Sequence, residues 1–150
     1  MAMKGLIMKK TIDNQIQELR EIIIKMNQLN KMENEFSDEE IKEGKKLGAR
    51  FYSLLKTLLS SEEGTNALIK LLDDDNSVVS FIVARNLYPL FPSKTMSIMK
   101  NHLKNINDKL EKMRAQDVIN GFESKQRIYI EQFKRLYKCE DIDSLNRENL

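Results

Sequence analysis

The stretch VVSFIVARNLYPL, Val78 to Leu90, decides the fold. Projected at about 100° per residue, its apolar side chains surround the axis, and Ser80, Arg85 and Asn86 are the interruptions. A helix that is apolar on every side belongs in an interior, so this segment is predicted to be the buried centre of the protein. Val78 to Val83 alone would also suit a strand, but the chain offers no second strand candidate to pair with it. Arg85 and Asn86 are then predicted as buried polar residues. A guanidinium in so apolar a helix needs an acidic partner, and Asp73, Asp74 and Asp75 are nearest in sequence.

Outward from this centre the chain reads as helix throughout. On the N-terminal side, Asp73-Asp74-Asp75-Asn76-Ser77 is the clearest loop. Before it lies a short helix, Asn66 to Leu72, with Thr65 as its expected cap. Farther back, Ser37-Asp38-Glu39-Glu40 has the spacing of a capping box, with Ser37 and Glu40 exchanging hydrogen bonds. A stripe follows through Ile41, Gly44, Leu47, Gly48, Phe51, Leu54, Leu55, Leu58 and Leu59. Gly44 and Gly48 each weaken a helix interior by about 1 kcal/mol relative to Ala. That cost suggests a neighbouring helix packed closely against them, or else a local hinge. The first helix is carried by Ile12, Ile16, Leu19, Ile23 and Met26, and is expected to end between Met32 and Glu35. Residues 1–10 read as a flexible leader, because Met8-Lys9-Lys10 can itself be a natural start.

On the C-terminal side Pro89 and Pro92 end the central helix, and Pro92 suits the first turn of the next. Met96, Met99, Leu103, Ile106, Leu110 and Met113 then repeat at alternating three and four. That period predicts one long helical stretch, with Asn120-Gly121 as the candidate break. A last helix from about Ser124 to Lys138 presents Ile130, Phe133, Leu136 and Tyr137, and residues 140–150 are expected to fray.

Length and composition agree with this reading. A chain of 150 residues is the size of one domain and buries roughly 70% of its unfolded surface. Five Gly and two Pro leave few sharp turns, which favours long helices. The net charge of +2 is too small to imply a nucleic-acid or anionic-membrane partner. No apolar run approaches the ~18 residues of a membrane span, so a cytoplasmic location with no membrane association is expected. The expected fold is all-α, with about six to seven helices in a single domain over 1–150.

Gly64 to Leu103 resembles a HEAT-type unit: a short helix ending Leu71-Leu72, the acidic turn Asp73 to Ser77, a helix carrying Val79, Ala84 and Leu87, and a further helix after Phe91-Pro92. In that family a basic residue usually follows the Val, and here Ser80 stands in its place, which departs from a regular ladder of repeats. Arg85 comes later and would serve a related purpose by pairing with the Asp run. The whole chain is also similar to small bacterial HEAT-like proteins of unknown function. The resemblance covers about forty residues well, taken as a HEAT-like core over 61–103, and it speaks to fold more than to function. It implies a right-handed stack of antiparallel helices with a curved face for a partner, and it implies no reaction.

The residues that could carry chemistry do not assemble into a motif. His102 is the only histidine and Cys139 the only cysteine, so neither a metal site nor a cofactor is expected. Cys139 precedes Glu140 and Asp141, whose charges raise a thiol pKa. A calcium loop starting at Asp73 would need Gly at Val78 and Glu at Ala84. Gly44-Lys45-Lys46 lacks the preceding Gly and strand of a phosphate loop. The chain is therefore expected to be no enzyme but a protein-binding module. The sharper form, reached by association with the resemblance, is a bacterial immunity protein that neutralises a cognate toxin by direct binding.

The expected partner site is acidic: Asp38, Glu39, Glu40 and Glu43 with Asp73, Asp74 and Asp75, which would steer a basic surface. The alternative is nucleic-acid association through the C-terminal helix, where Arg127, Tyr129, Lys134, Arg135, Tyr137 and Lys138 form a basic patch that Glu123 and Glu131 interrupt.

Overall fold

The structure, a computed structural model, describes residues 2–30 and 37–137. Among them are seven α-helices: α1 (Ala2–Asn30), α2 (Asp38–Leu59), α3 (Glu62–Lys70), α4 (Ser77–Leu87), α5 (Pro92–Asn105), α6 (Lys109–Ser124) and α7 (Gln126–Tyr137). No strand occurs among the described residues, so Val78 to Val83 is helical and the all-α expectation holds. Residues 2–10, read as a leader, are continuous with α1. The expected end of the first helix, Cys139 and the tail 140–150 lie outside the described residues. The chain divides into two compact units, Met1–Asp74 and Asp75–Leu150. The boundary falls inside the acidic turn, so the segment 61–103 contributes to both.

In the first unit α1 and α2 run antiparallel, and two ion pairs fix their register. Glu18 meets Arg50 at 2.6 Å, and Lys25 meets Glu43 at 2.6 Å. Seven residues forward on α1 thus match seven back on α2, two helical turns on each. Buried in this unit are Leu19, Ile22 and Ile23 of α1, and Phe51, Leu54, Leu55 and Leu58 of α2. Full burial of such a side chain stabilises by roughly 1.5–3 kcal/mol. The start of α2 is the capping box read from the sequence: Glu40 N–H donates to Ser37 Oγ, and Ser37 N–H to Glu40 Oε1, each at 3.2 Å.

The third helix corrects the expected cap. Ser61 caps it, accepting from Gly64 N–H at 3.0 Å, and Thr65 lies inside, donating its hydroxyl to the Ser61 carbonyl at 2.8 Å. Lys70 ends α3, and a single 3-10 turn, Leu71–Asp73, follows. Gly64 is the glycine that close packing requires. A Cβ there would overlap the Leu58 carbonyl oxygen and sit 2.8 and 2.9 Å from the Leu58 carbonyl carbon and Cα. Gly44 and Gly48 show the opposite: among the described residues nothing lies within 4 Å of where a Cβ would be, so no close approach requires a glycine there.

In the second unit Asn76 starts α4 by accepting from Val78 N–H (3.0 Å) and Val79 N–H (3.3 Å). Val79, Phe81, Val83, Ala84 and Leu87 are buried, as a central helix requires. Arg85, however, is exposed, and Asn86 is half-buried with its amide on the Ile82 carbonyl at 2.8 Å. The buried reading of Arg85 is thereby corrected. Val78, Ile82, Arg85 and Asn86 form one partly open stripe at i, i+4, i+7 and i+8, and the apolar members of that stripe disguise it. The Asp74 carboxylate, an expected partner of Arg85, is held by Arg20 instead.

Pro92 opens α5, and the fully buried Thr95 donates its hydroxyl to the Phe91 carbonyl at 2.6 Å. The expected long helix is broken, but not at Asn120-Gly121. Ile106 turns extended, Asp108 caps α6 by accepting from Glu111 N–H at 2.9 Å, and α6 passes unbroken through Gly121. Gly121 serves packing instead, since a Cβ there would meet the Tyr129 hydroxyl at 2.9 Å. The core of this unit runs through contacting rings, Tyr88 stacked on Phe122 at 4.4 Å and Phe122 tilted against Tyr129 at 4.5 Å. Met99, Ile119 and Phe133 close it, and Lys100 pairs with Glu123 at 2.8 Å. Burial, then the nearby Glu123 charge, pushes the Tyr88 hydroxyl pKa up. Because the break precedes α6, Leu110 and Met113 from the expected stripe turn outward and are exposed.

Candidate functional site

Of the seven acids expected to meet a partner, three are engaged within the chain. Glu40 is engaged in the capping box, and Glu43 pairs with Lys25. Asp74 accepts two bonds from the Arg20 guanidinium, at 2.9 and 3.3 Å, and its side chain is only 12% exposed. Asp38, Glu39, Asp73 and Asp75 are exposed. In the α1/α2 register Arg20 stands level with Gly48, ten residues along α2 from Asp38. At 1.5 Å per residue that places Asp74 roughly 15 Å from the acids at the start of α2.

A different surface on α2 is continuous. Ile41, Gly48, Tyr52 and Leu59 are spaced seven, four and seven, so they fall within roughly 20° of one line along the helix. Ile41 is 45% exposed and Tyr52 52% exposed, while Gly44, Gly48 and Leu59 are half-buried. The strip is about 27 Å long at 1.5 Å per residue. Its middle is low, because Gly44 and Gly48 raise no side chain and no atom of the described residues lies within 4 Å of where a Cβ would be. One flank leads down to the buried Phe51 and Leu55. The other carries Lys42, Lys45 and Lys56, all exposed, with Asp38 at its N-terminal end. None of the three lysines takes part in an ion pair among the described residues.

Sequence periodicity places Ile41, Gly44, Gly48 and Leu59 in the buried stripe. The buried side is rotated from them, toward Phe51, Leu54, Leu55 and Leu58. The seven-four-seven spacing is the available signal, but periodicity alone does not say which of two adjacent stripes a neighbour covers.

The remaining candidates are weaker. His102 stacks on Phe81 with ring centroids 4.6 Å apart, and its Nδ1 is buried without a hydrogen-bond partner. Burial lowers its pKa, and the Glu111 charge opposes that shift. No group of three metal-ligating side chains occurs among the described residues. On α7, Arg127 and Arg135 are exposed, while Lys134 is 3.7 Å from Glu131, so the basic run is partly neutralised on its own helix. No helix among the described residues is long and apolar enough to cross a membrane. No protein-family model matches the chain, and neither the curated proteins nor the solved structures contain a match.

Proposed function

We propose that this protein acts by binding another protein and carries out no reaction of its own. The observation that carries this reading is the open face of α2, where exposed Ile41 and Tyr52 flank two glycines with nothing among the described residues within 4 Å of where a Cβ would be. Apolar side chains held in line along a helix suit a protein partner. Two mid-helix glycines with no packing role each weaken the helix by about 1 kcal/mol relative to Ala. A use outside the fold would account for them.

The narrower reading, a cytoplasmic immunity protein that neutralises a toxin, rests on the HEAT-like resemblance of residues 61–103. The stacking of helix pairs that the resemblance implies belongs to the same proposal. The engaged states of Glu40, Glu43 and Asp74 favour moving the partner site from the acids to the α2 face.

A pull-down of the tagged chain from its native host, with mass spectrometry and absorbance on the eluate, tests the reading. The expected result is one stoichiometric protein, and a secreted enzyme in that position would support the immunity form. An eluate of nucleic acid would overturn the reading in favour of α7.

A further inference from the structure

We infer that the open face of α2 takes an acidic amphipathic helix from a partner protein, a step that rests on the protein-binding reading above. Shape favours a helix. The strip is straight and about 27 Å long, roughly five helical turns. Its centre is low at Gly44 and Gly48, with Ile41 standing above it at one end and Tyr52 beyond. A second helix laid along it could bring its backbone close over the glycines, because without a Cβ the surface there is main chain. Its side chains would then pack between Ile41 and Tyr52.

Charge chooses the partner's sign. Lys42, Lys45 and Lys56 rim the strip on its open side, and Asp38 is the one carboxylate of α2 on that flank. Farther round α2, Glu43 is paired with Lys25 of α1 and Glu40 is held in the capping box. A partner helix with Glu or Asp beside its apolar stripe would meet three lysines, and a basic one would be repelled. The same rim disfavours a second copy of this chain, since two lysine rims would be brought together. A membrane surface is the poorer occupant. Interfacial helices insert bulky side chains along the centre of their apolar face, and here that centre is glycine.

The test is an NMR titration of the isotopically labelled 150-residue chain with two synthetic helical peptides. Each is about 18 residues long, enough to span the strip, with the same Leu/Ala face. One is flanked by Glu and the other by Lys. The expected result is shifts at Ile41, Gly44, Gly48, Tyr52 and Leu59 with the Glu peptide, and affinity at least about tenfold weaker for the Lys peptide. Gly48→Leu should abolish the shifts while leaving the fold intact, because the space above Gly48 is open. Lys45→Glu with Lys56→Glu should reverse the preference.

Four results would overturn the inference: equal binding of both peptides, shifts confined to other helices, self-association through α2 on sizing, or sedimentation with anionic vesicles. Native-host capture separates this inference from the broader reading. If Gly48→Leu still captures the wild-type partner, the α2 assignment fails and the protein-binding reading stands. If the wild type captures no protein, the broader reading itself fails.

Discussion

Replacing Gly64 with Ala and Gly48 with Ala should shift stability in opposite directions, although both glycines lie within neighbouring helices. At Gly48 the added methyl meets nothing within 4 Å, so the helix-propensity gain of about 1 kcal/mol is realised in full. At Gly64, in the first turn of α3, any such gain is opposed by overlap with the Leu58 backbone, which can be relieved only by moving the chain. Overpacking of that kind costs about 1–3 kcal/mol. Displacing the turn also weakens the Ser61 cap on Gly64 N–H, a bond worth about 1 kcal/mol. The balance is a net loss of about 2 kcal/mol for Gly64→Ala. For a chain of this length that corresponds to a fall of about 4–8 °C in Tm, against a rise of about 2–4 °C for Gly48→Ala. Thermal unfolding followed by circular dichroism reads both. A Gly64→Ala variant as stable as the parent would refute the close approach. A destabilised Gly48→Ala variant would show that its face is already occupied.

Three further outcomes follow from the packing. Arg85→Ala should change stability by less than about 0.5 kcal/mol in urea titration, because the side chain is exposed; a loss of several kcal/mol would restore the buried reading. Asp108→Ala should destabilise by about 1 kcal/mol through loss of the α6 cap, whereas Asp108→Asn, which keeps a side-chain oxygen for Glu111 N–H, should retain most of the stability; equal losses in the same titration would count against the cap. His102 has a folded pKa below its usual 6.5, so its contribution to stability is complete above pH 6.5 and is lost as pH falls from there toward the folded value. The group faces the Phe81 ring and the Glu111 charge. Urea titrations across this window should therefore slope downward toward acid, and His102→Gln should flatten the His102 part of that slope.

The all-helical class is legible because nearly every segment repeats at three and four and nothing repeats at two. Local chemistry is legible where side chain and backbone lie within four residues, as in the Ser37/Glu40 capping box. It misleads where two candidates compete. Ser61 and Thr65 both can cap, and the structure starts the helix at Ser61, where Glu62 and Glu63 fill the first turn. The break before α6 has a signal in Asp108 and Glu111, three apart, but the unbroken period from Met96 to Met113 obscures it. The acids expected to face a partner escape a linear reading for a different reason. Arg20 lies 54 residues from Asp74, and Lys25 18 residues from Glu43, so their pairing depends on tertiary register. The open α2 strip is hidden because its apolar residues adjoin the buried ones on the same helix.

The central claim is that a partner docks on the open face of α2, and site-specific photocrosslinking in the native host tests it most directly. A benzophenone amino acid placed at Tyr52 should yield one discrete adduct with a protein. The same probe at Met113, exposed on α6, should yield none. Adding Gly48→Leu should abolish the Tyr52 adduct. An adduct at Met113 with none at Tyr52, or one at Tyr52 that survives Gly48→Leu, would contradict the account.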